Sequence, residues 1–498
     1  MSFPRCCIIC ARIASFFNHC SFFLSMMSSK SHLRLLGELI LKSIDSIESR
    51  LASEFTEFPT LFDPFDPAKK VEIILQEEEM LAATSHIVAA ASQLVATVRP
   101  PAQSVVDNSL AFHLSSCMRA AVESNMVEII REAGTQGIHA DDVAKRNKTD
   151  PLKVSRILRL LANHHIFTEI SPDVFCSNRL SSVLDSGKSV LELERNPKDR
   201  HVNTSGIPAL ILLHTDESFK GSAYLTEAFT DPATSHSVKP TESPWNIAFE
   251  TDAFIFDWYD RPENEHRKTR FSLAMAGSIK LDPPAAMLSG FKWNSLPENS
   301  VVVDVGGGVG SMALVIAQAV PHIKLVVQDR ASVIDDAKIY WASASPDFLT
   351  SARVELRVHD FFQAQPIKNA AAFLLRWILH DWADPLAIHI LKHLRDAATP
   401  ETKLVTVDTI VPYTCCDTSV TESIPGAVIP PAPAPLLPNL GAASNMKYWV
   451  DFQMFVLGNC QNRTLGHFVS LATQSGWKVI EVHHIPGSSL GQCISVPI

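Results

Sequence analysis

Cysteine is scarce in this chain, 10 of 498 residues, and four of the ten (Cys6, Cys7, Cys10 and Cys20) crowd into the first twenty positions. The rest are scattered, which excludes a disulfide framework and points to a reducing, cytoplasmic compartment. No second Cys/His pair stands at zinc spacing beside Cys6, Cys7 and Cys10, so no metal is expected. Basic charge is also in deficit. The formal net charge is −10, which argues against a nucleic-acid-binding surface. Long apolar runs are missing as well. Arg5, Arg12 and His19 interrupt the apolar residues between positions 1 and 27, leaving neither a spanning helix nor the apolar region of a signal peptide. Residues 1–30 read as a disordered extension, with Met26 and Met27 just ahead of the first helical pattern. No membrane association is expected. The remaining composition, 46% hydrophobic and 19% charged, is that of an ordinary globular protein. The length suggests two or three domains.

One stretch organises the rest. Val301 to Val305 is an apolar, β-branched run that breaks into Gly306, Gly307, Gly308 and Gly310, and an apolar run of helix length follows from Ser311. That pattern predicts a strand, a tight turn and a helix start. Glycines let a ligand approach the backbone closely, and the helix N-terminus adds unpaired N–H groups. The turn therefore suits a nucleotide-like ligand. A dinucleotide fingerprint needs a third glycine where Ser311 stands, which weighs against a nicotinamide-dependent oxidoreductase. Asp304 precedes the glycines. Asp329 ends a second strand, 323–328, where a carboxylate can accept from both hydroxyls of a ribose.

Around this centre the chain reads as alternating strands and helices. Strands at 301–305, 323–328, 354–358, 371–375 and 403–407 alternate with helices at 311–320, 332–343 and 385–397. The expected fold is α/β, a doubly wound, mostly parallel, Rossmann-like sheet over residues 299–498. In such sheets ligands bind at the carboxyl ends of the strands, and Asp329, Asp360, His380 and Asp408 all fall there. Asp360 followed by Phe361 suits adenine, the acid accepting from the exocyclic amine and the ring packing on the base. Residues 412–445 form a Pro-rich insertion over the site, and two strands near 476–484 and 492–496 close the sheet.

Upstream, residues 31–185 read as helical. Two apolar helices, 32–55 and 78–98, are of a kind that packs on a partner chain. A winged helix follows: a helix over 120–130, a short one over 141–146, a third capped by Asp150-Pro151, and a hairpin at 166–176. Lys145, Arg146, Lys153 and Arg159 make DNA binding conceivable, but acids are interspersed and the chain is acidic. Residues 186–298 form a helical linker rich in aromatics. In it Phe271 and Met275 share a helix face, either as core or as the wall of an aromatic pocket.

The segment Arg376-Trp377-Ile378-Leu379-His380-Asp381-Trp382 decides the family resemblance. With the glycine turn it closely resembles the K/R-W-x-x-H-D-W signature of S-adenosylmethionine-dependent O-methyltransferases of the caffeic-acid type, plant enzymes with fungal polyketide-modifying relatives. The resemblance covers roughly residues 110–495. It implies S-adenosylmethionine as cofactor, a winged-helix dimerisation module, a homodimer, and a small aromatic or phenolic substrate in secondary metabolism. It also implies that Gly306, Gly307 and Gly308 make room for the cofactor, that Arg376 contacts it, and that Phe271, Met275, Asp381, Trp382 and Met454 line the substrate. Physical chemistry supports His380 as general base: a phenol has a pKa near 10, and an imidazole can take its proton as the methyl group moves. In the family two acids orient that base. Asp408 stands at the first position. At the second, within Gln461-Asn462-Arg463-Thr464, this chain has Asn462, an amide that can hydrogen-bond an imidazole but lends no charge to imidazolium. A weakened or inactive relative, acting as a cofactor-binding scaffold, is the alternative.

Overall fold

A computed structural model describes residues 30–282, 286–417 and 423–498. The expected N-terminal extension, apart from Lys30, lies outside the described residues. The described chain starts with two long helices, α1 (His32–Ala52) and α2 (Glu78–Val98). Ser31 caps α1 by accepting from the Arg34 N–H, and Pro100 follows α2, since a proline cannot continue the ladder. By length and composition α2 could cross a membrane. Here it pairs with α1, through Ile47, Leu51, Met80 and Ala83, and its Ala89 and Ala90 pack with Leu36 and with Leu436 of the Pro-rich insertion.

The winged helix forms as expected, with one difference. The amphipathic run at 120–130 is two helices, α3 (Phe112–Glu123) and α4 (Met126–Ala133), because Asn125 adopts a left-handed conformation at φ 60°. Asparagine tolerates that region better than most residues. The freed carbonyls find donors: Arg200 reaches Val122 O at 2.7 Å and Asn147 reaches Ser124 O at 3.2 Å. The apolar period runs through the break because both helices bury the same side. α5 (Ala140–Asn147) and α6 (Pro151–Asn163) follow, α6 capped by Asp150. The wing has three strands in the order β1 (Ile138–His139), β3 (Val174–Cys176), β2 (Thr168–Ser171). The short β1 carries too few residues to show a period.

The linker is ordered by buried charge. Asp216 and Glu217 sit on a wide helical turn, His214–Ser218, and meet Arg267 and Arg270 of α7 (Glu265–Ser278) at 2.5 to 2.9 Å. Arg119 of α3 joins Asp216 at 2.7 Å, tying the winged-helix module to the linker. Arg270 immediately precedes Phe271, so this network fixes the face that α7 shows to the site.

The seven-stranded sheet runs in the order β6-β5-β4-β7-β8-β10-β9, where β4 is Val301–Val305, β5 Lys324–Asp329, β6 Val354–Val358, β7 Ala372–Arg376, β8 Lys403–Thr409, β9 Trp477–His484 and β10 Leu490–Pro497. Strands β4 to β8 are parallel, and β10 is antiparallel to both β8 and β9. Strand order reverses at β4, where the chain leaves for β5 on one side and later returns through β7 on the other, opening a crevice at the carboxyl ends. Helices α8 (Ser311–Ala319), α9 (Ala331–Ala344) and α10 (Asp384–Arg395) cover the faces. α11 (Asn445–Gly458) and α12 (Leu465–Gln474) follow the insertion.

Candidate active site

A cavity of about 2450 Å³ opens at the carboxyl ends of the parallel strands. It is bounded by the glycine turn, the segment after β7, α7, α11, and, unexpectedly, residues of α1 and α2 such as Lys42, Ser46 and Glu79. The two N-terminal helices, expected on a partner, wall this chain's own cavity. The Pro-rich insertion lies between them and the site, held by the Gln93 amide donating to Pro435 O at 2.8 Å.

At one end is the glycine turn. Gly306 has φ 68°, and a Cβ there would come within 2.5 Å of Ile378 Cδ1 and 3.3 Å of the Phe361 ring. Gly308 also has positive φ, but its missing Cβ leaves open space. Asp304 is buried beneath, its Oδ2 without a hydrogen-bond partner among the described residues. Burial, with the charge of Asp329, pushes its carboxyl up to about 7. Asp329 accepts from the Gly308 and Arg330 N–H groups, each at 2.8 Å. A carboxylate has about four acceptor sites, so both oxygens keep capacity for ligand hydroxyls. Asp360 is exposed at the rim and Phe361 half-buried beside it, packed on Phe362 and Trp382. Arg376 lies over the Trp377 ring at 4.0 Å, and its Nη2 is 3.8 Å from Asp282.

At the centre is His380, on the short turn Leu379–Asp381 after β7. Its Nδ1 is 3.2 Å from Asn462 Oδ1 and 3.8 Å from Asp408 Oδ1, and its Nε2 is 3.5 Å from Asp381 Oδ1. Asp408 and Asn462 do not line the cavity; they stand behind the ring. The amide, not the acid, is at hydrogen-bond distance, and Asp408 Oδ1 has no hydrogen-bond partner among the described residues. Burial pushes the imidazole down to about 4; the Asn462 hydrogen bond opposes this, and Arg463 and Arg376 add to it. Burial raises Asp381 to about 8, with a further push from Asp408, and Asp408 itself to about 7.

Arg463, named in the sequence only as part of the segment holding Asn462, fastens this turn. Its guanidinium donates to Leu379 O and Trp382 O, both at 2.7 Å, and to Asp384 at 3.0 Å. Two carbonyls flanking His380 are thereby pinned by one planar group. Asp451 of α11 accepts from the Asn462 N–H at 2.8 Å, setting the amide's position. On the side formed by α7 and α11, Phe271 and Met275 of α7, Trp382, and Met454 of α11 all reach the cavity. Trp382 packs on Phe254 and Phe362, and Phe271 on Phe256 and Tyr259.

Residues 106–186 match the O-methyltransferase dimerisation domain, and residues 224–429 match the O-methyltransferase domain. An O-methyltransferase of Armillaria gallica is 42% identical, the match covering 94% of this chain and 100% of that one. The chain belongs to the O-methyltransferase family. Another family member, 4-O-methyltransferase 1 of Phanerochaete chrysosporium, is 40% identical, over 91% of this chain and 96% of its own. Among solved structures, that of OxaC in complex with SAH and oxaline shares the fold, with a TM-score of 0.63, 17% identity, and coverage of 93% of this chain and 100% of OxaC. As a member of this family the enzyme uses S-adenosylmethionine, and its glycine turn fits that group. An uncompensated acid and an open space beside Gly308 face the same end of the cavity.

Proposed function

We propose that the enzyme methylates a hydroxyl of a small aromatic or polyketide-like metabolite, with His380 as general base. One observation carries this reading. A buried imidazole, held on its Nδ1 side by Asn462, presents its other nitrogen to the cavity between the glycine turn and an aromatic wall. The bound donor supplies a sulfonium whose methyl carbon is electrophilic. His380 donates Nδ1–H to Asn462 Oδ1, which leaves Nε2 with its lone pair. With the donor bound, its methyl group would pass to the phenolic oxygen, and His380 Nε2 would take the phenolic proton while the leaving thioether keeps the S–CH3 bonding pair. The imidazolium so formed lies between Asp381 and Asp408. Asp304, Asp329, Asp360, Phe361 and Arg376 are assigned to the donor, and Phe271, Met275, Asp381, Trp382 and Met454 to the acceptor.

The protein is read as a cytoplasmic homodimer. Support comes from the dimerisation-domain match and from Val105, Val106 and Leu110, which are exposed at its start. Light scattering at micromolar concentration checks the dimer. Calorimetric titration with S-adenosylhomocysteine, and with NAD in parallel, checks the donor site: micromolar binding of the first alone is expected, and a folded protein that binds only NAD overturns it. A second reading, donor binding without turnover, is motivated by Asn462 and by the 3.8 Å gap to Asp408. It requires that replacing His380 change no rate.

A further inference from the structure

The turn that carries His380 is gripped along its whole length by one other segment. Leu379 O and Trp382 O accept from Arg463, each at 2.7 Å. His380 O accepts from the Gln461 N–H at 3.1 Å, and Asp381 O from the Cys460 thiol at 2.8 Å. Consecutive carbonyls from 379 to 382 thus all meet donors from residues 460–463, the segment that also carries Asn462. Asp384, the first residue of α10, binds the far side of that segment. Its Oδ1 accepts from the Gln461 amide at 2.9 Å and from Arg463 Nε at 3.0 Å, and its Oδ2 is 2.7 Å from His467 Nε2. Among the described residues none of its side-chain bonds goes to its own helix, so the carboxylate is not a cap. Arg463 is buried, and Asp384 is the only carboxylate within ion-pair distance of it among the described residues. Burial pushes the Asp384 carboxyl up, but the His467 bond and the Arg463 charge outweigh this and hold it below its ordinary value. It is therefore ionised at neutral pH.

We propose that Asp384 is a positioning residue for the base, acting through Gln461 and Arg463. This deepens the methyl-transfer reading and rests on it. A buried guanidinium keeps its place only while its counter-charge does. Without that charge the Arg463 fork has no fixed point from which to span two carbonyls. The loop holding Asn462 and the turn holding His380 then lose their register. The imidazole keeps its chemistry but not its aim, and a misplacement of about 1 Å can cost about 10²-fold in rate. Asp384 does not line the cavity, so its effect reaches the reaction only through these two elements.

Single-turnover transfer of labelled methyl to methyl 4-hydroxybenzoate tests this in a double-mutant cycle with His380→Ala. Asp384→Asn should slow transfer at least about tenfold, with the probe's KM and S-adenosylhomocysteine affinity unchanged. In the His380→Ala background the same substitution should cost less than about twofold, since no base is left to aim. Arg463→Lys keeps the positive charge but not the fork. It should show the same loss and the same dependence on His380, and it carries the cycle if Asp384→Asn does not fold. A wild-type rate in Asp384→Asn, or an equal loss in both backgrounds, overturns the proposal, because a merely structural tie is indifferent to His380. Nitrogen-15 NMR of histidine-labelled protein, with the His380 signal assigned by its absence in His380→Ala, reads the positioning whether or not the probe turns over. Wild type should show the single Nδ1–H tautomer held by Asn462, and Asp384→Asn or Arg463→Lys a mixture. One unchanged tautomer in wild type and variants overturns the proposal. A wild-type rate in His380→Ala removes the general-base reading instead, and the tautomer signal then still decides whether Asp384 holds the ring.

Discussion

Replacing Asn462 by aspartate should make the enzyme faster at the chemical step. The Asn462 oxygen sits 3.2 Å from His380 Nδ1, while Asp408 is at 3.8 Å, so the ring's near partner is neutral. A hydrogen bond to a neutral group contributes about 0.5–1.5 kcal/mol and one to a charged group about 1.5–3. The difference, about 1–1.5 kcal/mol, applies to the imidazolium that develops as the proton is taken. It corresponds to roughly a five- to tenfold rise in kcat. The same carboxylate favours protonated His380, so the acidic limb of the kcat/KM profile should move up by about one pH unit. Asn462→Ala should act oppositely, leaving the Nδ1–H unpaired. Single-turnover rates and pH profiles, with S-adenosylhomocysteine affinity as control, read both effects. If donor binding is intact while neither rate nor profile moves in Asn462→Asp, His380 is not the base.

Other consequences concern stability and the donor. Asp408 is pushed to about 7 by burial, above its unfolded value, so the folded chain holds a proton that the unfolded chain releases as pH rises past 4. Stability from this group is full at low pH and is lost as pH climbs toward 7. Asp408→Asn should therefore stabilise the ligand-free protein at pH 8, by a few kcal/mol, and hardly at all at pH 4; melting curves at the two pH values that do not separate would contradict this. Gly306→Ala puts a Cβ 2.5 Å from Ile378 Cδ1 at positive φ and should weaken S-adenosylhomocysteine binding at least tenfold by calorimetry. Unchanged affinity would mean the donor does not use the turn.

Much of the fold could be read from local pattern. Val301–Val305 and the glycines after it predict their own conformation, and the alternation that follows leaves a parallel sheet as the answer. That Asp329, Asp360 and His380 would line the crevice was legible, because each ends a strand or lies just beyond one, and that is where such a sheet opens to ligands. Positions that depend on distant partners were not legible. Arg463 acts on carbonyls more than eighty residues away in sequence, and nothing in its neighbours signals that. The break at Asn125 is hidden because both helices bury the same side. The wall supplied by α1 and α2 is equally invisible, since an apolar helix face does not say what it covers.

The central claim is tested most directly by transfer of labelled methyl from S-adenosylmethionine to a phenolic acceptor, wild type against His380→Gln. General-base catalysis predicts a fall of about 10²–10⁴-fold in the single-turnover rate, with S-adenosylhomocysteine affinity unchanged. Equal rates for the two proteins would contradict the account, and the imidazole behind the aromatic wall would be a structural group only.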